Sequence, residues 1–224
     1  MQTANQGSKL RVAAFLLVLL VLVAGIAIAS SRPGLNSSIT ANEQESAEPK
    51  NAKPLTAEEK KKVSLDAFRK VATVLRHPRC LNCHPSGDRP HVTDERRLHD
   101  MNVQRGPENK GMAGLNCAAC HRTENQTVPD IPGAPHWQLA PRSMGWQGLD
   151  DHELAKMLID KKRNGDRTFE DLIHHMGEDP LVLWGWNPGG KRSIPPLSHK
   201  EFMIELKKWL NNGAAIPHKG ETSF

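Results

Sequence analysis

The four cysteines of this chain constrain its fold more than any other feature. They form Cys80-Leu81-Asn82-Cys83-His84 and Cys117-Ala118-Ala119-Cys120-His121, two copies of C-x-x-C-H that leave no cysteine for a disulfide. Two thiols three positions apart can each bond one vinyl group on a porphyrin edge. A histidine directly after them can then bind the iron from the proximal side. The residues predict two c-type haems, one held covalently by Cys80 and Cys83 and one by Cys117 and Cys120, with His84 and His121 as proximal ligands. Two C-x-x-C pairs can also build a four-thiolate zinc site, but zinc gives no reason for a histidine after both second cysteines. A thioredoxin-like redox pair calls for a βαβ setting, which neither motif has.

The N-terminal part reads as an export and tethering segment. Residues 1–11 are polar and carry Lys9 and Arg11, and residues 12–29 are an unbroken run of apolar or small residues. A cleaved signal has an apolar core of about 7–15 residues and a spanning helix about 17–25, and this run falls in the overlap. Ala27-Ile28-Ala29 offers a cleavage pattern, while the length favours an uncut anchor, so 1–30 is a signal-anchor or a signal peptide. Positive charge before the run puts the rest of the protein outside the cytoplasm under either reading. Residues 31–55 are rich in Ser, Asn, Glu and Pro and cannot bury enough surface to fold. They make a tether of roughly 25–30 Å reach.

Residues 56–224 are expected to form one helical domain. A capping box at Thr56 to Glu59 opens a helix carrying Phe68, Val71, Ala72 and Leu75 at helical spacing, which ends at His77-Pro78. Ser198 to Glu201 is a second capping box, followed by Phe202, Leu206, Trp209 and Leu210 on one face and by Gly213 as a stop. Between these ends the chain is loop-rich. A helix is expected from Asp150 or Asp151 to Asn164-Gly165, and another from Thr168 to Gly177. Only 4 % of the residues are aromatic, so much of the core is expected to be porphyrin. The formal charge is +5, yet there is no dense basic cluster and no nucleic-acid recognition motif.

A helix running into C-x-x-C-H, with a terminal amphipathic helix ending Trp209-Leu210 and Gly213-Ala214, resembles the class I cytochrome c family over about residues 60–215. The resemblance implies an all-α, cytochrome c-like domain wrapped around two haems, with the second motif inserted where single-haem members have a loop. The 95–190 stretch is similar to the dihaem cytochrome subunits found with molybdenum hydroxylases of the isoquinoline-oxidoreductase type.

The distal ligand decides what each iron can do: a protein ligand makes an electron-transfer haem, and an open position makes a site for small molecules. Met144 lies on a loop before Asp151-His152-Glu153-Leu154, as the distal methionine does in the cytochrome c family. It is expected at the second haem. For the first haem the candidates are Met101 and His99, two residues apart, with Met101 preferred. His175 and Met176 are in reserve, and His91 and His136 rank lower. Arg79, Arg89 and Arg105 are candidate partners for haem propionates. Trp184, Trp186 and Trp209 read as haem-packing or core residues.

Together these readings describe an electron carrier on the periplasmic side of a bacterial membrane. Its expected partners are periplasmic or membrane redox proteins, with membrane attachment through the N-terminal segment if it is uncleaved. The alternatives are a dihaem peroxidase, for which too little chain separates the motifs, and a haem-based ligand sensor, for which no signalling segment follows.

Overall fold

The first and last helices of the domain cross and bury each other's apolar faces. The computed structural model describes residues 53–224. The expected membrane segment and nearly all of the expected tether lie outside the described residues. Helix α1 (Ala57–Leu75) starts at the predicted capping box, with Thr56 and Glu59 satisfying each other's backbone N–H groups. Helix α8 (His199–Asn211) starts at the second box, Ser198 with Glu201. Phe68, Val71, Ala72 and Leu75 of α1 meet Phe202, Leu206, Trp209 and Leu210 of α8, all 2 % exposed or less. Phe68 and Trp209 pack with ring centroids 4.6 Å apart. Each of the buried valine, leucine and phenylalanine side chains stabilises the fold by roughly 1.5–3 kcal/mol.

One buried hydroxyl closes this crossing. Ser64 is fully buried; its Oγ donates to the Trp209 carbonyl at 2.8 Å and accepts from the Ala215 N–H at 2.9 Å. It thereby shares with the Ala214 N–H (2.9 Å) the capping of a carbonyl in the last turn of α8, which the helix itself leaves without a partner. The chain turns there at Gly213, whose φ of +95° is the left-handed stop expected from the sequence.

Helices α2 (Pro78–Leu81) and α3 (Cys117–Cys120) are single turns that carry the two cysteine motifs. The middle of the sequence then supplies helix α4 (Asp151–Ile159), α5 (Lys161–Asn164), α6 (Phe169–Glu178) and α7 (Pro180–Leu183). The helix expected from Asp151 to Asn164 is two helices. Asp160 leaves the helical region (ψ 104°) and its carboxylate instead caps Lys162 N at 3.0 Å. Nor is Gly177 a stop: α6 continues to Glu178, because Pro180 forces the extended conformation only at Asp179. A Cβ on Gly177 would come 3.2 Å from Met203 Cε, so its small size serves packing against α8.

The domain is mainly helical, as expected. Between the two ends lie three minimal antiparallel ladders: β1 (His91–Val92) with β2 (Arg97–Leu98), β3 (Gly111–Met112) with β4 (Leu115–Asn116), and β5 (Gln126–Thr127) with β6 (Asp130–Ile131). The apolar core comes from α1, α4, α6 and α8, joined by Leu81, Met144 and Trp146. Among the described residues no helix is long and apolar enough to cross a membrane.

Removing the Ser64 hydroxyl leaves the part-buried Ala215 N–H without its acceptor and the Trp209 carbonyl with the Ala214 N–H as its remaining donor. Ser64→Ala should therefore destabilise the domain by about 1–3 kcal/mol in urea unfolding, with the m-value unchanged.

Candidate functional site

The first motif is anchored in the helical core. His77 caps α2 by accepting from Arg79 N at 3.3 Å, and Leu81 is buried while Cys80 packs against the core. The His84 Nδ1 lies 2.7 Å from the carbonyl oxygen of Met144. A carbonyl can only accept, so Nδ1 carries the proton and Nε2 keeps its lone pair. Trp146 N–H donates back to the His84 carbonyl at 3.0 Å, and the indole stacks on the imidazole at 3.4 Å and 14°. Gly145 makes this close approach possible, since a Cβ there would meet the Pro85 carbonyl oxygen at 2.8 Å.

The second motif repeats the arrangement with different residues. Asn116 caps α3 through Ala118 N at 3.0 Å. His121 Nδ1 lies 2.7 Å from the carbonyl of Pro132, and Trp137 stacks on its ring at 4.4 Å and 8°. The residue after the acceptor is again a glycine without room for a side chain: a Cβ on Gly133 would meet the Arg122 carbonyl at 2.6 Å. Asn125 holds this loop, accepting from Gly133 N at 3.0 Å and from Trp184 Nε1 at 2.8 Å. Unlike the first motif, this one contributes no buried residue, and Cys120 is exposed.

Both histidines are therefore neutral imidazoles of one tautomer, fixed by a backbone carbonyl and a stacked indole. Burial pushes the His84 pKa down to about 3, and burial likewise lowers that of His121. None of the four cysteines is joined in a disulfide. Burial pushes the Cys80 thiol up to about 12 and the Cys83 thiol up to about 11; the charge of Cys117 adds to the second shift, so the two motifs are within electrostatic reach of each other.

The ring of charge around the motifs has unmet donors. Arg79 pairs with Asp94, and Arg105 reaches Asp88 and the carbonyls of Gly87 and Ala140. Arg89 donates to the His99 carbonyl at 2.8 Å. Arg96 differs: both Nε and Nη2 are buried without a partner, and burial lowers its pKa. Among the described residues, every buried side-chain donor or acceptor without a partner belongs to the 79–105 stretch or to Trp146. Buried polar groups are nearly always paired, so this concentration marks a place built for an additional acidic or polar partner.

Several of the expected distal ligands stand elsewhere than the sequence suggested. Met144, expected at the second haem, belongs to the first motif: its carbonyl holds His84 and its side chain is buried with the helical core. The loop before α4 folds back on His84 and Pro85, which spacing along the chain does not reveal. Met101 occupies a left-handed position (φ +57°) in a short 3-10 turn and is 69 % exposed, turned out to solvent. His99, expected at the first haem, is nearer the second motif, with its imidazole centroid 6.1 Å from that of His121. His175 lies close enough to His84 to help lower its pKa, and its Nδ1 contacts Asp179 Oδ2 at 3.1 Å. Met176 is buried in the core, as its place on the helix face predicted, and His136 is exposed.

Three residues went unnoticed in the sequence: Trp137, Trp146 and Arg96. The two tryptophans carried a signal, since each follows a glycine within a short loop of an aromatic-poor chain. Trp184 and Trp209 pack as expected, the first edge-on to Trp137 at 4.8 Å.

Compared with known protein families, with characterised proteins and with solved structures, the chain matches none.

Gly145→Ala forces the Met144–Trp146 loop away from Pro85. It should destabilise the domain by about 1–3 kcal/mol in chemical denaturation. It should also weaken the His84–Met144 bond, read by NMR as faster solvent exchange of the His84 Nδ1 proton.

Proposed function

We propose that this protein is a dihaem c-type cytochrome that relays single electrons between redox partners. The observation that carries the reading is the duplicated environment of His84 and His121. Two unrelated loops, 142–146 and 132–137, each supply a carbonyl acceptor, a close-packed glycine and a stacked tryptophan to the histidine of a C-x-x-C-H turn. A hydrogen bond from Nδ1 to a backbone carbonyl is the usual outer support of a metal-ligating imidazole, because it fixes the ring and raises the basicity of Nε2. Such support around both motifs favours an axial role over a surface or core histidine.

The protein's own groups would perform the remaining tasks. Cys80 and Cys83, and Cys117 and Cys120, would hold the two rings as thioethers. Arg96, with Nε and Nη2 unpartnered, fits a propionate, a reading that suits it better than Arg79 or Arg105, whose charges already have carboxylate partners. When bound, each haem supplies a one-electron couple whose potential follows its axial ligands and surroundings. The helical core would shield the first haem, while the exposed Cys120 would leave an edge of the second open to a partner. Electrons would then enter or leave by the second haem and pass to the first inside one domain. The expected export segment agrees with covalent haem attachment outside the cytoplasm and with periplasmic or membrane redox partners.

The test is a redox titration of the full-length, haem-loaded chain followed by absorbance, with hydrogen peroxide turnover measured alongside. The account predicts two reversible one-electron steps and no turnover of peroxide. Rapid peroxide reduction at one high-spin haem would replace electron transfer by a peroxidase reading.

A further inference from the structure

We propose that His99 is the distal ligand of the second haem, so that this iron is held between His121 and His99. The inference rests on the dihaem reading above and deepens it. Ladder β1–β2 begins just after the first motif and returns the chain at Leu98. The next residue is then fixed by its own N–H donating to the Pro90 carbonyl at 2.9 Å, while its carbonyl accepts from Arg89 at 2.8 Å. This short return delivers the His99 ring to the second motif, with its centroid 6.1 Å from that of His121 and the planes at 73°.

The separation matters more than the proximity. An iron between two imidazoles needs two metal–nitrogen bonds of roughly 2 Å plus the ring radii, which places the centroids about 6 Å apart. An edge-to-face pair of rings can sit at this distance too; what singles out a shared metal is that each ring is held through Nδ1 with Nε2 left open. Protonation agrees as well. His99 Nδ1 lies 2.9 Å from the Asp100 carbonyl and His121 Nδ1 lies 2.7 Å from the Pro132 carbonyl, so each ring donates through Nδ1 and Nε2 is the nitrogen left to face a metal. Neither Nε2 has a hydrogen-bond partner among the described residues. Met101, two positions on, is turned to solvent and offers no competing sulfur.

The consequence is a second haem with two imidazole ligands, whose potential lies below that of a histidine–methionine haem. The experiment uses the full-length chain matured with haem, with a pyridine haemochrome assay establishing that both haems are attached. Near-infrared magnetic circular dichroism of the ferric protein should show a bis-histidine haem. His99→Ala should keep both haems but turn one high-spin and open to carbon monoxide, and added imidazole should restore its low-spin spectrum. His99→Met should remain low-spin and raise the potential of that haem alone. Adding Cys117→Ser and Cys120→Ser to His99→Ala should abolish the carbon monoxide uptake, which assigns it to the second haem. Unchanged spectra in both His99 variants, or uptake that survives loss of the second haem, would overturn the assignment while leaving the dihaem reading intact. Absence of covalent haem in the wild-type chain would instead overturn the dihaem reading itself, and the haemochrome assay separates the two failures.

Discussion

The hydrogen bond from a histidine Nδ1 to a backbone carbonyl, made twice, is the constraint on which the rest of the site depends. It decides the tautomer, and the tautomer decides that Nε2 faces the chemistry as a lone-pair donor. Each carbonyl can approach its imidazole because the next residue is glycine and a side chain there would strike the neighbouring backbone. Each imidazole is then held in plane by an indole. The same solution appears on two loops with no common sequence beyond Gly and Trp. That recurrence argues for a requirement imposed by the histidines.

The two copies rest on different foundations. His84 is wired into the helical core: its turn follows α1, and Met144 and Trp146 are themselves core residues. His121 is flanked in the chain by two short ladders, β3–β4 and β5–β6, and held by a network through Asn125, Trp184 and Trp137, with no buried residue in its own turn. Fixed polar contacts replace apolar packing there. A loss of local order at the second motif would leave the crossing of α1 and α8 untouched, whereas disruption of that crossing would dismantle the first motif.

Much of the architecture was legible from residues alone. The capping boxes at Thr56 and Ser198, the apolar faces of α1 and α8, the Gly213 stop and the buried Met176 follow from local rules that tertiary structure does not override. The break at Asp160 and the continuation through Gly177 were not legible, because one depends on a side-chain cap competing with the helix and the other on a neighbouring helix. The distal candidates show the same limit. Met144 was read from its position before a helix, yet long-range folding of the 142–146 loop brings it to His84. His99 was associated with the motif nearest in sequence, and a two-residue ladder carries it across to the other. Spacing picks out candidates; it does not say to which of two neighbouring motifs the fold brings them.

The central claim is that both C-x-x-C-H turns are haem attachment sites. Intact-mass spectrometry of the full-length chain, matured in a host that exports and ligates c-type haem, tests it most directly. The account predicts a mass increment of two haems that survives denaturation, reduced to one when either cysteine pair is replaced by serine. A chain that emerges with four unmodified thiols, or with a metal ion lost on denaturation, would contradict it.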